Sequence, residues 1–405
     1  MNDELYMKRA ICLAKMATGH TSPNPLVGAV VVKNNTIVGE GYHHKAGEAH
    51  AEVHALDAAG EHARGATLYV TLEPCAHYGK TPPCAKRVVE SGISRVVIGS
   101  TDPNPLVAGK GIQILIDAGI EVTTDICADE CIAMNEHFFT FIQTHKPFVT
   151  IKSAMSLDGK IATFTGQSQW ITNESSRKDG HVLRATHDAM LVGIGTILAD
   201  DPLLNCRLTR DELYQAVIDT NDVSLGNTLE VHQPDIVILD SQGRTPTDAK
   251  VFMIPNRKVI VYVAKGCPEQ RRIALANAGA FVEELPTKSV RQGRTTDVAI
   301  DIKKIDIQAC LEHLGKQGYT SVLVEGGSTI ISSFVEALAF DKIVTYIGNL
   351  VIGGTNSTSA VGGTGFATLH DAPRLEFGSS RILDNNIRIE SYRVGREGSY
   401  VYRHR

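Results

Sequence analysis

One histidine and two cysteines in the first quarter of the chain are of the types that bind zinc. His50 stands two residues before Glu52, and Cys75 and Cys84 each follow a proline. A structural zinc site normally has four protein ligands, whereas a catalytic site keeps one position open for water. Three ligands with a carboxylate nearby therefore predict a site that activates water.

The same residues also allow a structural interpretation. His77 or His54 would then complete a site with two histidines and two cysteines, and the protein would be a non-enzymatic zinc module that binds a partner. The other cysteines have no comparable context and are expected to pack in the protein interior. They are Cys12, Cys127, Cys131, Cys206, Cys267 and Cys310.

Elements that could position the three ligands can be predicted from the pattern around them. Both halves of the chain alternate strand-like and helix-like segments, which indicates an α/β fold. Residues 28–33 and 36–41 predict two strands joined by a turn at Asn34-Asn35. A helix is expected to open at His50, and a strand over 66–72 leads into Cys75. A further helix would carry Cys84 in its first turn, where the helix dipole favours a thiolate.

The length of 405 residues suits two domains better than one. The polar pair His145-Lys146 before Pro147 predicts the boundary, which gives domains over 1–145 and 146–405. In the second domain the clearest predicted strands cover 148–152, 188–193, 235–240, 258–264, 321–325 and 342–347. Residues 208–230 and 286–300 are polar and aperiodic, and we expect loops there.

Composition limits the classes of partner. Residues 1–145 hold 11 Lys and Arg against 16 Asp and Glu. Because a binder of nucleic acid normally carries a basic surface, this balance favours a small-molecule substrate.

The N-terminus has no apolar signal core, and the longest apolar run, 189–199, is too short to cross a bilayer, so we expect a cytoplasmic protein without membrane contact. The sequence does not fix the oligomeric state, and a homo-oligomer is compatible with it.

The motif His50-Ala-Glu52, followed by Pro-Cys and a later cysteine, resembles the cytidine deaminase-like superfamily. Most of that superfamily has two residues between the cysteines, whereas eight separate Cys75 from Cys84. The longer spacing resembles the bifunctional deaminase/reductases of riboflavin biosynthesis, as do the segments 23–28 and 102–105. The resemblance implies zinc on His50, Cys75 and Cys84, with Glu52 as the catalytic proton shuttle. It also implies that Asn24 helps to hold the substrate, although an Asx turn is an equal alternative.

The second domain contains no Rossmann fingerprint, although Glu325-Gly326-Gly327 follows a strand and opens a helix, a turn that suits a phosphate. Segments 152–159, 168–172 and 198–202 resemble a reductase domain similar to dihydrofolate reductase, which implies NADPH. By that resemblance the cofactor-binding residues are Ala154, Trp170, Thr196, Asp200, Ser241 and Gly327. The substrate-binding residues are Ser168, Arg184, Leu204, Arg207 and Glu325, with Lys152 as a weaker candidate.

The resemblance as a whole implies two consecutive reactions. The first is zinc-dependent hydrolytic deamination of 2,5-diamino-6-ribosylamino-4(3H)-pyrimidinone 5′-phosphate. The second is NADPH-dependent reduction of the ribosyl side chain to ribityl. The rival hypothesis is a nucleoside or tRNA deaminase with an unrelated appended domain. Its tRNA form requires a basic groove near the zinc, which the acidic balance of residues 1–145 argues against.

Overall fold

Helices and strands alternate along the chain, as the sequence pattern predicts. The computed structural model describes residues 2–76, 83–104, 107–218, 228–292 and 300–395. Two short 3-10 helices cover Gly60–Ala63 and Lys250–Met253. The α-helices are α1 (Asp3–Lys15), α2 (Ala51–Ala59), α3 (Cys84–Glu90), α4 (Lys110–Asp117), α5 (Ala128–Met134), α6 (Glu136–Thr144), α7 (Glu174–Thr186), α8 (Ile194–Asp200), α9 (Arg210–Val217), α10 (Glu269–Asn277), α11 (Ile307–Lys316) and α12 (Ser328–Glu336).

The strands form one five-stranded sheet, one nine-stranded sheet and two two-stranded pairs. They are β1 (Gly28–Lys33), β2 (Thr36–Tyr42), β3 (Thr67–Leu72), β4 (Arg95–Ser100), β5 (Glu121–Thr123), β6 (Phe148–Ser156), β7 (Lys160–Ala162), β8 (Ala189–Gly193), β9 (Asp235–Leu239), β10 (Val259–Ala264), β11 (Ala280–Leu285), β12 (Thr287–Gln292), β13 (Ile300–Ile305), β14 (Ser321–Glu325), β15 (Lys342–Gly348), β16 (Thr358–Ser359), β17 (Leu375–Leu383) and β18 (Asn386–Arg393).

The chain folds into two compact units. Within the described residues, the first unit contains the chain up to His145 together with the segment 208–232, and the second contains 146–207 and the chain from 233 onward. The segment 208–232 is held by contacts with the rest of the first unit. His20 Nε2 lies 3.1 Å from the Glu230 carbonyl oxygen, and the hydroxyls of Tyr42 and Thr228 are 3.2 Å apart.

The first unit is built on the five-stranded sheet, in the order β2-β1-β3-β4-β5. Strand β1 pairs antiparallel with β2 and β3, and β3, β4 and β5 run parallel. The predicted hairpin is confirmed, because Asn34 and Asn35 have φ angles of 51° and 60°, as a type I′ turn requires. Alternate residues of β1 enter two separate cores, Val30 against α1 and Val31 against α2. The sheet is therefore covered on both faces.

Helix α2, which carries the zinc motif at its start, lies unusually close to strand β2. A Cβ atom added to Gly39 would lie 2.2 Å from the Ala55 carbonyl oxygen. No side chain fits at that distance, so glycine is required for the helix to rest on the strand. This close packing fixes the position of the N-terminus of α2 and hence of His50.

The second unit is built on the nine-stranded sheet, in the order β11-β10-β9-β8-β14-β6-β15-β18-β17. The first seven strands in this order, β11, β10, β9, β8, β14, β6 and β15, run parallel to one another. Strands β18 and β17 are added antiparallel at one edge. The central strands are apolar on both faces, since β8 and β14 are buried almost throughout. The carboxyl ends of neighbouring parallel strands meet at one edge, where ligands commonly bind in open α/β sheets.

The predicted loop over 208–230 is wrong in its first part, where helix α9 forms. Thr209 and Glu212 make a reciprocal capping box at its start, and Leu213 is fully buried. The sequence Thr-x-x-Glu before an apolar residue is a helix-start signal, and it outweighs the polar composition of the segment. Residues 219–227 lie outside the described part of the chain.

The predicted loop over 286–300 is also wrong, because 287–292 form strand β12. This strand pairs antiparallel with β13, with Thr287 opposite Ile305. Backbone hydrogen bonds to the partner strand hold the segment, and these do not require the apolar alternation that the sequence lacks. Residues 293–299 are not among those described.

No helix in the described ranges is long and apolar enough to span a membrane. The longest, α1 and α7, have 13 residues each, whereas a crossing needs about 20.

Candidate functional site

The three predicted zinc ligands lie together in the first unit. The ligand atoms of His50, Cys75 and Cys84 all lie within 4.8 Å of one another. His50 Nδ1 is 3.7 Å from Cys75 Sγ and 3.3 Å from Cys84 Sγ. Tetrahedral zinc with bonds of 2.0–2.3 Å would separate a nitrogen and a sulfur ligand by about 3.5 Å, so the donor set and its spacing fit this metal.

Each ligand is placed by the end of a different element. His50 is the N-cap residue of α2, Cys75 follows β3, and Cys84 is the first residue of α3. The backbone N–H of Cys84 donates to Cys75 Sγ at 3.3 Å, which links the two cysteines directly. The helix N-terminus also favours a thiolate at Cys84, as a metal ligand requires.

The electrostatics of the site suit proton transfer. Glu52 is buried in the first turn of α2, and burial raises its pKa to about 7. A carboxyl group with that pKa exchanges a proton readily near neutral pH, as a general acid and base must. A hydrogen bond with Cys84 lowers the pKa of Cys75 to about 4, and the same contact raises the pKa of Cys84. Binding a cation through both sulfurs would release the proton that Cys84 keeps.

Of the two alternative fourth ligands, only His54 lies among the described residues, and its position does not support the structural interpretation. Among the described residues, His54 is not part of the cluster, and its ring stacks on that of His44 with centroids 4.5 Å apart. His77 lies outside the described residues. Asn24 lies nearby, because its Nδ2 is 3.1 Å from His43 Nε2 and the rings of His43 and His50 are 5.4 Å apart.

One buried carboxylate that was not predicted from the sequence supports the cluster. Glu73 lies two residues before Cys75 and accepts hydrogen bonds from the backbone N–H groups of Gly109 and Gly111 at 3.0 and 2.9 Å. Asp102 and Ile112 donate to it as well, both at 3.3 Å. These bonds tie the Cys75 loop to the start of α4. A charged residue directly after an apolar strand was the signal that could have identified it.

The second unit contains two cavities that concern the predicted site residues. The one of 220 Å³, which we call the smaller cavity, brings together most of the residues predicted to bind substrate. It is lined by Ser168, Arg184, Arg207 and Glu325 from the predicted substrate set, by Ala154 and Trp170 from the predicted cofactor set, and by Lys152, Arg177 and His181. Three arginines and one lysine therefore line the same cavity. Such a cluster suits a phosphate.

Arg184 and Glu325 pair directly in the wall of the smaller cavity. Arg184 Nε and Nη2 each donate to a Glu325 oxygen at 2.8 Å, and Nη1 donates to the Asn205 carbonyl at 2.9 Å. Lys152 Nζ lies 4.0 Å from Glu325. Burial alone would raise the pKa of Glu325, but Arg184 and Lys152 outweigh it and lower the pKa to about 2. Glu325 therefore stays ionised at neutral pH.

A second cavity, of 720 Å³, contains the rest of the predicted cofactor set apart from Asp200; we call it the larger cavity. Thr196, Ser241 and Gly327 line it, and Gly327 is the N-cap residue of α12, a suitable place for a pyrophosphate. The volume is within the range of cofactor sites. Its charged lining residues, among those described, are all cationic: Arg244, Lys265, Lys303 and Lys304.

Two predicted residues line neither cavity. Asp200 is the exposed last residue of α8, and Leu204 is buried with its carbonyl oxygen accepting from Arg257. Their predicted contacts with ligands remain predictions. Arg177 and His181 line the smaller cavity but were not predicted from the sequence. Their spacing of seven and three residues from Arg184 on one helix was a usable signal.

Family models match both halves of the chain. A model described as the cytidine and deoxycytidylate deaminase zinc-binding region matches residues 1–100, and one described as the RibD C-terminal domain matches residues 147–389. The predicted fold class is thereby confirmed: a cytidine deaminase-like domain is followed by a dihydrofolate reductase-like domain.

Full-length relatives and solved structures agree. The riboflavin biosynthesis protein RibD of Bacillus amyloliquefaciens is 43% identical over 404 residues and covers 100% of both chains, and that of Escherichia coli is 37% identical over 96% of this chain and 98% of its own. Acinetobacter baumannii RibD aligns with a TM-score of 0.79 at 38% identity, covering 96% of this chain and 98% of its own. A diaminohydroxyphosphoribosylaminopyrimidine deaminase/5-amino-6-(5-phosphoribosylamino)uracil reductase from Thermotoga maritima aligns with a TM-score of 0.77 at 34% identity and the same coverage. The chain therefore belongs to the RibD family, bifunctional enzymes of riboflavin biosynthesis that join a zinc-binding deaminase domain to a reductase domain.

Proposed function

We propose that residues 1–145 form a deaminase domain for 2,5-diamino-6-ribosylamino-4(3H)-pyrimidinone 5′-phosphate. The observation that supports this most directly is the buried Glu52 beside the cluster of His50, Cys75 and Cys84. Zinc held by those three side chains supplies a Lewis acid that makes water a nucleophile near neutral pH. Glu52 takes the proton of the attacking water and returns it to the departing amine. Water adds to the ring carbon, the carbon–nitrogen bond breaks, and ammonia leaves.

We further propose that residues 146–405 form the reductase domain and that its two cavities hold the two reactants. The larger cavity has the volume, the helix N-terminus and the cations that a phosphorylated dinucleotide requires. The smaller cavity, with its arginines, would hold the ribosylamino compound. NADPH held in the larger cavity would supply the hydride for C1′, while the bond from C1′ to the ring oxygen would break and that oxygen would take a proton. The product is the ribityl compound.

The roles of individual side chains follow from this division. Ala154 and Trp170 line the smaller cavity, so we place them where the nicotinamide end would meet the sugar. Thr196, Ser241 and Gly327 would contact the rest of the nucleotide. Ser168, Arg184, Arg207 and Glu325 would hold the substrate, and Arg207, whose side chain is exposed, is the strongest candidate for its phosphate. Asp200 and Leu204 keep their predicted roles on the resemblance alone.

The test uses purified full-length protein and the diamino substrate, with and without NADPH. Ammonia and NADPH are followed separately, and a chelator arm removes the metal. We expect ammonia release with and without NADPH, and NADPH oxidation only after deamination. The chelator should abolish ammonia release from the diamino substrate. It should leave NADPH oxidation unchanged when the deaminated compound is supplied instead. Ammonia released from cytidine or tRNA without NADPH oxidation would instead support the nucleoside or tRNA deaminase.

A further inference from the structure

Helix α7 brings three polar side chains to the smaller cavity. Arg177, His181 and Arg184 are separated by four and three residues, so they share one face of the helix, and all three line the cavity. Arg184 is committed to Glu325, and the guanidinium of Arg177 lies 4.4 Å over the ring of Trp170. His181 is the member of the three whose side chain has no such partner.

Within the described residues, the Nδ1 atom of His181 is buried without a hydrogen-bond partner. The residue is 8% exposed. Its backbone carbonyl oxygen accepts a hydrogen bond from Cys206 Sγ at 3.3 Å. Buried polar groups in proteins are nearly always hydrogen-bonded, and leaving one unpaired costs about 1–3 kcal/mol.

A second buried histidine in the same unit shows what a purely structural role looks like. His187 follows the last residue of α7 directly and is 3% exposed. Its Nδ1 contacts the Leu183 carbonyl oxygen at 2.7 Å, and its Nε2 contacts the Thr150 hydroxyl at 2.9 Å. Both ring nitrogens of His187 therefore have partners in the fold, whereas His181 Nδ1 has none among the described residues.

The surroundings of His181 keep its ring uncharged. Burial, followed by Arg184 and Arg207, lowers its pKa to about 4, although Glu325 acts in the opposite direction. A neutral imidazole has one donor and one acceptor nitrogen. The neighbouring cations suit the phosphate of a substrate, whereas a neutral ring suits its uncharged hydroxyl, carbonyl or N–H groups.

We propose that His181 is a substrate-binding residue of the reductase domain, whose ring hydrogen-bonds an uncharged polar group of the ribosylaminopyrimidine. The inference rests on the proposed function of the smaller cavity. It adds a residue that positions the sugar or the pyrimidine ring, separate from the arginines that hold charge.

The kinetic test compares His181→Phe, His181→Gln and His181→Asn. The reductase step is followed by NADPH oxidation with 5-amino-6-(5-phosphoribosylamino)uracil as substrate. We expect His181→Phe to raise KM by at least about tenfold, because it fills the space without a hydrogen bond. One amide variant should recover most of the affinity: glutamine if Nε2 makes the contact, asparagine if Nδ1 does. His370→Gln, on a fully exposed histidine of the same unit, is the matched control.

A second measurement covers the case in which a variant folds poorly. The wild-type protein is labelled isotopically at histidine for NMR spectroscopy. The ring resonance that is absent from the spectrum of His181→Gln is assigned to His181. Addition of substrate should shift that signal. An unchanged signal, or an unchanged KM in His181→Phe, would overturn the inference. If the wild-type protein itself oxidises no NADPH with this substrate, the proposed function fails instead, so the two failures are distinguishable.

Discussion

Arg184 and Glu325 form a bidentate ion pair across 141 residues of sequence, with both nitrogen–oxygen distances at 2.8 Å. Arg184 comes from α7 and Glu325 ends β14, in the middle of the nine-stranded sheet. A buried pair of this kind is costly to break, because removing one partner leaves the other charge without compensation. It therefore serves both the fold of the second unit and the shape of the smaller cavity.

We expect Glu325→Gln to destabilise the second unit at neutral pH by on the order of 3 kcal/mol. The folded-state pKa of Glu325, about 2, lies below its unfolded value of about 4.3, so the ionised carboxylate stabilises the fold above that value. This contribution is lost as the pH falls from about 4.3 towards 2. The difference between wild type and variant should therefore shrink as the pH is lowered from 6 to 3. Urea unfolding followed by the fluorescence of Trp170, the one tryptophan of the chain, measures it. A difference that stays constant over this range would contradict the assignment.

We expect Glu52→Gln to lower kcat for ammonia release by at least about 100-fold, since an amide cannot carry a proton between water and the leaving amine. Zinc content should stay at the wild-type level, because Glu52 is not among the ligand cluster. Ammonia assays and elemental analysis of the same sample check both points. His54→Gln serves as the control and should retain zinc and activity. Loss of zinc from His54→Gln would revive the structural interpretation of the site.

We expect Glu73→Gln to weaken zinc binding by about tenfold to a hundredfold, the usual cost of removing a group that orients a ligand. The amide has only one oxygen acceptor in place of the two that now receive four backbone N–H groups. Competition with a chromophoric chelator gives the affinity without relying on activity. Asp117→Asn, at the exposed C-terminal end of α4, is a suitable comparison. Equal affinities in the two variants would show that Glu73 does not act through Cys75.

We expect Arg244→Ala to reduce the preference for NADPH over NADH. Arg244 lines the larger cavity with a half-exposed side chain, and the charged residues described around that cavity are cations. An arginine favours the 2′-phosphate of NADPH, whereas a carboxylate would favour the free hydroxyl of NADH. The ratio of kcat/KM for the two nucleotides should fall by about tenfold. The exposed Lys316, outside the cavity, provides the control as Lys316→Ala, and the same ratio in both variants would exclude Arg244 from this role.

Local signals in the sequence were sufficient to predict the cluster of His50, Cys75 and Cys84. The types and spacing of His50, Glu52, Cys75 and Cys84 predicted a cluster that the structure assembles. The Asn34-Asn35 turn was likewise predicted, because a type I′ turn depends only on residues that accept a positive φ. At 208–230 the predicted loop was wrong because it followed from polar composition, although a local capping signal was present at Thr209.

The sequence by itself determined which chemistry the first domain can hold, because ligand types and short spacings do not depend on the arrangement of the rest of the chain. For the second domain it indicated a reductase only through the resemblance of whole segments. The tertiary structure decided which residues share a cavity. Strand β14 lies between β8 and β6 in the sheet, although β6 and β8 precede it by more than a hundred residues, and this order brings Glu325 to Arg184. The same packing leaves His181 Nδ1 without a hydrogen-bond partner in the described part of the chain and gives partners to both ring nitrogens of His187. Contacts over such separations follow from strand order and burial, which no local pattern encodes.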